Sequence, residues 1–159
     1  MDYTIDRADF DDTEDICAVQ IASLERLDRT HYSKKEINAW LEGVGITQTA
    51  HLLEDPESEI FVARDDYEMV MGFCALKGNE VTGIFVDPAY SCQGIGTKLL
   101  REAEKYAKRK GRSSIRLLST LNSVSFYNKC GYDALRKSVV TINDDTALDV
   151  LEMRKRLSS

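Results

Sequence analysis

The chain has 159 residues, of which 30% are charged and 43% hydrophobic, with a net charge of −6. That length suits one domain, residues 1–159, able to bury about two-thirds of its unfolded surface. No apolar run approaches the ~20 residues that cross a bilayer, and Met1-Asp-Tyr-Thr-Ile-Asp lacks the basic and apolar regions of a secretion signal.

Taken in order, Tyr3 to Ala8 reads as a first strand. Asp11 or Thr13 then caps a helix whose inner face is Ile16, Val19, Gln20 and Ser23 or Leu24. Ser33, with Glu36 three residues on, has the spacing of a capping box and opens a second helix carrying Ile37, Trp40 and Leu41. Ile60 to Arg64 and Val70 to Lys77 form a hairpin around Asp65-Asp66-Tyr67, and Glu80 to Val86 adds a strand stopped by Pro88. From Ile95 a helix shows the apolar stripe Ile95, Leu99, Leu100, Ala103 and Ala107. Lys105, Lys108, Arg109 and Lys110 crowd its last turn, and Gly111 stands at its end. A strand at Ser114 to Ser119 and a short helix at Ser123 to Cys130 follow. Ala134 to Ile142 and Ala147 to Arg154 close the chain as a hairpin around Asn143-Asp144-Asp145. The sum is a mixed α/β fold on one central sheet.

The segment from Asp87 to Leu100, D-P-A-Y-S-C-Q-G-I-G-T-K-L-L, is the most informative. Gly94 and Gly96 let the backbone pack closely and turn N–H groups outward, where the helix also presents its positive dipole end. The alternatives are a phosphorylated ligand or a tight strand-to-helix turn that binds nothing. A Walker A string is absent. A dinucleotide fingerprint fails as well: Ser91 or Cys92 stands where an earlier glycine belongs, and no acid closes Ile115 to Thr120.

Charge is divided along the chain. Residues 1–66 hold 17 acidic and 6 basic side chains, whereas residues 67–159 hold 10 and 15. The positive half suits phosphates and the negative half a cationic amine, although each equally describes an ordinary solvated face. No basic patch with interleaved aromatics points to nucleic acid. Four cysteines without paired spacing and two isolated histidines, His31 and His51, offer no metal set and read as reduced thiols in a cytoplasm.

V-D-P before the loop, Q-G-I-G-T-K-L-L across it and F-Y-N-K-C-G-Y after it resemble the GCN5-related N-acetyltransferase superfamily over roughly residues 60 to 135. The resemblance implies about seven strands flanked by about four helices, acetyl-CoA as acyl donor, and an amine acceptor. It departs from the family pattern at Ser91, where Arg or Gln is usual, at Cys92, where glycine is frequent, and at Thr120, where an asparagine often stands seven residues before the tyrosine. Asn122 either replaces that asparagine or caps the short helix.

The resemblance also implies the site. Backbone groups of Cys92, Gln93, Gly94, Ile95, Gly96, Thr97 and Lys98 would hold the coenzyme phosphates. Those of Ile84, Phe85 and Val86 would pair with the pantetheine and polarise the thioester. Tyr127 would donate a proton to the departing thiolate, or else pack against Phe126 and the sheet. Glu80, eleven residues before Ser91, has the spacing of the histone-type base, or is an exposed glutamate after the Gly78-Asn79 turn. Cys92 lacks a neighbouring His or Asp to activate it, which favours direct transfer in a ternary complex over an acyl-enzyme.

The acceptor would lie against about Ala22 to Gly45, a stretch holding Glu25, Asp28, His31, Tyr32, Trp40 and Glu42. Trp40 reads as core, while Tyr32 is open between core and acceptor clamp. A non-catalytic acyl-CoA-binding or sensing domain is the alternative, and a ligand-free interaction module the third possibility. Any homodimer is expected through the closing hairpin.

Overall fold

In the computed structural model, which describes residues 2–158, the strands form a single mixed sheet. They are β1 (Tyr3–Arg7), β2 (Ser58–Asp65), β3 (Val70–Lys77), β4 (Glu80–Val86), β5 (Ser114–Thr120), β6 (Asp133–Asn143) and β7 (Thr146–Arg156). Their order is β1-β2-β3-β4-β5-β7-β6, so β7 inserts between β5 and its own hairpin partner. Only β4 and β5 run parallel. Among the described residues, five α-helices complete the fold: α1 (Thr13–Glu25), α2 (Lys34–Glu42), α3 (Ile46–Glu54), α4 (Ile95–Arg109) and α5 (Val124–Lys129).

β3 explains the layering. Its first seven residues, V-M-G-F-C-A-L, are all buried because both faces are covered. Met71, Cys74 and Leu76 join Leu99, Leu100 and Ala103 of α4 in one core. Val70, Phe73 and Ala75 join Ile16 and Val19 of α1 in a second, on the opposite face.

Local signals account for most of the elements. Ser33 accepts from the Glu36 N–H at 3.1 Å and Glu36 returns to the Ser33 N–H at 2.8 Å, completing the capping box. Gly111, at φ +81°, closes α4 with its N–H bonded to the Lys108 carbonyl.

Two expectations are corrected. Neither Asp11 nor Thr13 caps α1; Asp9 caps a preceding 3-10 turn, and Asp12 stands at the helix start without a capping bond. A fifth helix, α3, was not expected. Its sequence I-T-Q-T-A-H-L-L-E begins β-branched, and Gly45 at its cap has no side chain to bond the first turn. Nine residues would not hold a helix alone. Packing does: Leu52 and Leu53 lie against the α1-side core, and the Thr49 hydroxyl donates back to the Gly45 carbonyl at 2.9 Å.

Asp12 is occupied elsewhere. Arg64 of β2 donates to both of its oxygens at 2.8 Å, and the Asp12 carboxylate also accepts the Asp9 N–H at 2.9 Å. The hydrogen bond from Arg64 is the main reason the Asp12 carboxyl titrates below its ordinary 3.8. Arg64→Leu is expected to cost about 2 kcal/mol in denaturant melts, less than a fully buried pair because Arg64 keeps 15% exposure. The sign is that of a depressed carboxyl: the contribution is complete above pH 3.8 and lost as pH falls through the lower folded value. The variant's deficit should therefore shrink in acid. A deficit unchanged between pH 6 and pH 3 would contradict the assignment.

Candidate active site

The site begins with a bulge. Ala75 pairs with Gly83 and Leu76 with Val81, leaving Thr82 as an extra residue in β4. A bulge bends and twists its strand. Accordingly, β4 pairs with β5 only at Glu80–Arg116 and Val81–Leu117. Beyond that point the strands part into a fork. The Asp87 N–H donates to the Met71 carbonyl at 2.8 Å, so antiparallel alternation aims Asp87, Phe85 and Gly83 at β3. Ile84 and Val86 therefore present their N–H and C=O groups to the fork. Phe85 does not; its backbone is turned to β3, and it contributes a ring that packs on Phe73 (5.4 Å) and Trp40 (6.3 Å).

At the open end of the fork stands the first turn of α4. Gly94 is its N-cap at φ +76°, a left-handed conformation natural to glycine. The Lys98 N–H bonds to the Gly94 carbonyl, so the N–H groups free of intrahelical partners are those of Ile95, Gly96 and Thr97. Lys98 itself is turned outward, its ammonium 5.0 Å from the Tyr3 ring. Gly96 has its own reason: a Cβ there would stand 3.3 Å from the Phe126 ring and 3.7 Å from Val86. Ser91, Cys92 and Gln93 are exposed beside this turn. The open first turn, the missing Cβ at Gly96 and the unpaired edge of β4 fit a phosphate-bearing, amide-bearing chain such as coenzyme A. Between α4 and α5 a cleft of about 200 Å³ adds Arg101 and Lys129 to the same neighbourhood.

Cys92 lies at φ +63°, in the left-handed region, which explains why glycine suits this position. Cys92→Gly is expected to leave stability within about 1 kcal/mol, relief of strain and added chain entropy offsetting each other. Cys92→Ala is expected to keep full turnover, since no His or Asp stands beside the thiol in sequence to activate it. Its inactivity in a thiol-release assay would point to an acyl-enzyme.

Tyr127 of α5 is 7% exposed. Its ring meets Phe126 at 5.1 Å and Tyr132 at 5.9 Å, both edge-on. It belongs to the core cluster that Ile84 and Val86 border. Burial is the chief cause pushing its phenol well above 10, with Cys74 and Cys130 nearby adding to it, and no hydrogen bond from the protein opposes the shift. Such a phenol stays protonated at neutral pH. Glu80 is half-buried at the first residue of β4, at the closed base of the fork. Its cross-strand partner is Lys77, which is ion-paired at 3.1 Å with Asp55 after α3. Glu80 therefore lies on the sheet face that carries α3.

One of the two local readings of Asn122, the helix cap, is corrected. Asn122 caps no helix; its Nδ2 donates to the Asp28 carbonyl at 3.0 Å, tying the α1–α2 loop to the end of β5, while its Oδ1 is buried without a partner. Tyr32 is core rather than clamp. It is 2% exposed, donates to the Asp149 carbonyl at 2.6 Å and accepts the Leu121 N–H at 2.9 Å. Trp40 is only half-buried. It lines a cavity of about 270 Å³ formed by α1, α2, α3 and β6. Sequence reasoning missed the α3 wall of this cavity because it missed α3.

Residues 20–132 match the family described as Acetyltransferase (GNAT) family. An uncharacterized N-acetyltransferase from Methanocaldococcus jannaschii is 28% identical over 145 residues, covering 82% of this chain. The chain spans 61% of that protein's length. A GCN5-related N-acetyltransferase structure from Rhodopseudomonas palustris superimposes with TM-score 0.91 at 25% identity, covering 99% of this chain and 97% of its own. The PaiA N-acetyltransferase of Thermoplasma acidophilum, solved in complex with coenzyme A, gives TM-score 0.80 at 27% identity, with 98% and 99% covered. With the forked sheet, the open α4 turn and these matches together, the chain belongs to the acetyltransferase (GNAT) family.

Proposed function

We propose that the protein transfers the acetyl group of acetyl-CoA directly to a primary amine within a ternary complex. The observation that carries this reading is the fork: β4 leaves β5 after two pairs, below an α4 turn whose first amides are free. The relative solved with coenzyme A supports the choice of donor. When bound, acetyl-CoA supplies an acyl group activated as a thioester.

The chain's own groups divide the remaining work. Amides of Ile95, Gly96 and Thr97, with the Cys92–Gly94 backbone, receive the pyrophosphate. The free edges of Ile84 and Val86 bond the pantetheine amides, and an N–H on that edge polarises the thioester carbonyl. Glu80 takes the proton that the amine must lose, directly or through water. As the C–N bond forms and the C–S bond breaks, Tyr127 gives its proton to the sulfur.

Calorimetric titration with acetyl-CoA, against adenosine diphosphate and NAD, tests the reading. Micromolar binding selective for acetyl-CoA is expected, followed by amine-dependent thiol release. Absence of binding would refute it. Binding without turnover on any amine would favour an acyl-CoA-sensing domain instead.

A further inference from the structure

The cavity beside Trp40 differs from the surface around it in one respect: its wall contains no ionisable side chain. Residues 1–66 carry 17 acids, and α1, α2 and α3 supply most of the lining, yet Glu14, Asp15, Glu25, Glu42 and Glu54 are all exposed elsewhere on these helices. What lines the cavity is apolar at Ile16, Trp40, Leu52 and Ile142, with amides at Gln20 and Gln48. The Thr49 hydroxyl, also on the wall, is already bonded to the Gly45 carbonyl. Trp40 is held edge-on against Phe85, the β4 residue between the two that face the fork. The cavity is thus joined by ring contact to the strand that borders the proposed transfer site, and it lies among the helices on the sheet face that also carries Glu80.

From this lining we infer that the acceptor is a compact primary amine whose body is uncharged and largely apolar, bearing at most a neutral polar group. The inference rests on the acetyltransferase reading given above. Polyamines and aminoglycosides carry further ammonium groups, and here each would be desolvated without a counter-charge. Size points the same way. About 270 Å³ is below the usual ~300–1,000 Å³ of drug-sized pockets, enough for one ring and a short chain. Indole and aliphatic walls hold such a body, and the two glutamine amides can each donate to or accept from a hydroxyl or amide on it. The acidity of the N-terminal half then acts at long range, drawing the single ammonium inward rather than binding it.

Trp40 is the only tryptophan in the chain, so its emission reports on this cavity directly. Titration of the full chain with 2-phenylethylamine should give a saturable blue shift of that emission, with or without coenzyme A; spermidine and kanamycin should give none. In thiol release, kcat/KM for 2-phenylethylamine should exceed that for spermidine at least tenfold. Gln48 is exposed on α3, so Gln48→Glu folds and places a carboxylate on the wall; it should move that ratio toward spermidine at least tenfold and leave the acetyl-CoA KM unchanged. A wild-type preference for spermidine, kanamycin or a lysine peptide, with acetyl-CoA binding intact, overturns the acceptor class and spares the acetyltransferase reading. A ratio unmoved by Gln48→Glu also overturns it. If acetyl-CoA does not bind but 2-phenylethylamine still shifts the emission, the transferase reading falls and the chemistry assigned to the cavity stands. If neither binds, both fall.

Discussion

Tyr127→Phe is expected to lower kcat about 100-fold, at the lower end of the ~10²–10⁴ that a positioned proton donor contributes. Coenzyme binding should be preserved, because the amides proposed to receive it belong to α4 and β4. Folding should be nearly unaffected. No protein group is bonded to the Tyr127 hydroxyl, so its removal orphans no partner, and stability should change by less than about 1 kcal/mol. A loss of kcat with folding and coenzyme binding intact is what separates this donor from a simple packing role. Burial holds the phenol above its ordinary 10.0, so it stays protonated through pH 9 and contributes no alkaline limb there. An alkaline fall in kcat within that range belongs to another group and should persist in the variant. Stability behaves consistently: below pH 10 it is indifferent to this residue, and above it the unfolded chain ionises the phenol while the folded chain resists, so stability declines. Stopped thiol-release assays across pH 6–9 decide the matter. An unchanged kcat would remove Tyr127 from the chemistry.

The second large effect is expected at Gly96. A methyl group there would already press the edge of the Phe126 ring at 3.3 Å. Gly96→Ala therefore asks that ring to give by a few tenths of an ångström, and acetyl-CoA affinity should fall less than tenfold. Gly96→Leu cannot be housed between Phe126 and Val86, so its side chain turns into the space over the first turn. Loss of acetyl-CoA affinity by 100-fold or more is expected, about 2.7 kcal/mol, with the sheet intact by circular dichroism. Gly94→Ala makes the useful contrast. Its Cβ meets nothing within 4 Å, but its φ of +76° is strained for alanine, so the cost of roughly 1–2 kcal/mol falls on stability. Equal affinity losses at the two positions would mean that the loop fails by misfolding rather than by filling.

Much of this architecture is legible in the chain because its causes are local. The stripe of α4 and the terminal Gly111 are read directly, since helical period and left-handed closure need only neighbouring residues. The Ser33–Glu36 box is likewise contained in four residues. α3 was not legible: its Thr-rich sequence and uncapped start argue against a helix, and the contacts that hold it come from α1 and β2. Asp12 looks like one of several helix caps until Arg64, 52 residues away, is brought beside it. Tyr32 looks equally suited to pocket or core, and only its bonds to Asp149 and Leu121 choose.

The same division runs through the site. By itself the sequence determined the glycine-opened start of α4 that the proposed cradle uses, because Gly94, Gly96 and a helix start lie within a few residues of one another. It determined the candidate proton donor only through likeness of motif, and the burial that keeps Tyr127 protonated comes from the sheet and from Tyr132. The fork was decided by tertiary structure: one extra residue, Thr82, has consequences only against the register of β3, and the parting of β4 from β5 follows from that pairing. The charge-free cavity was decided there too. Its wall is assembled from α1, α2, α3 and β6, segments spread along the chain from Ile16 to Ile142, and which side chains face it depends on helix rotations set by packing.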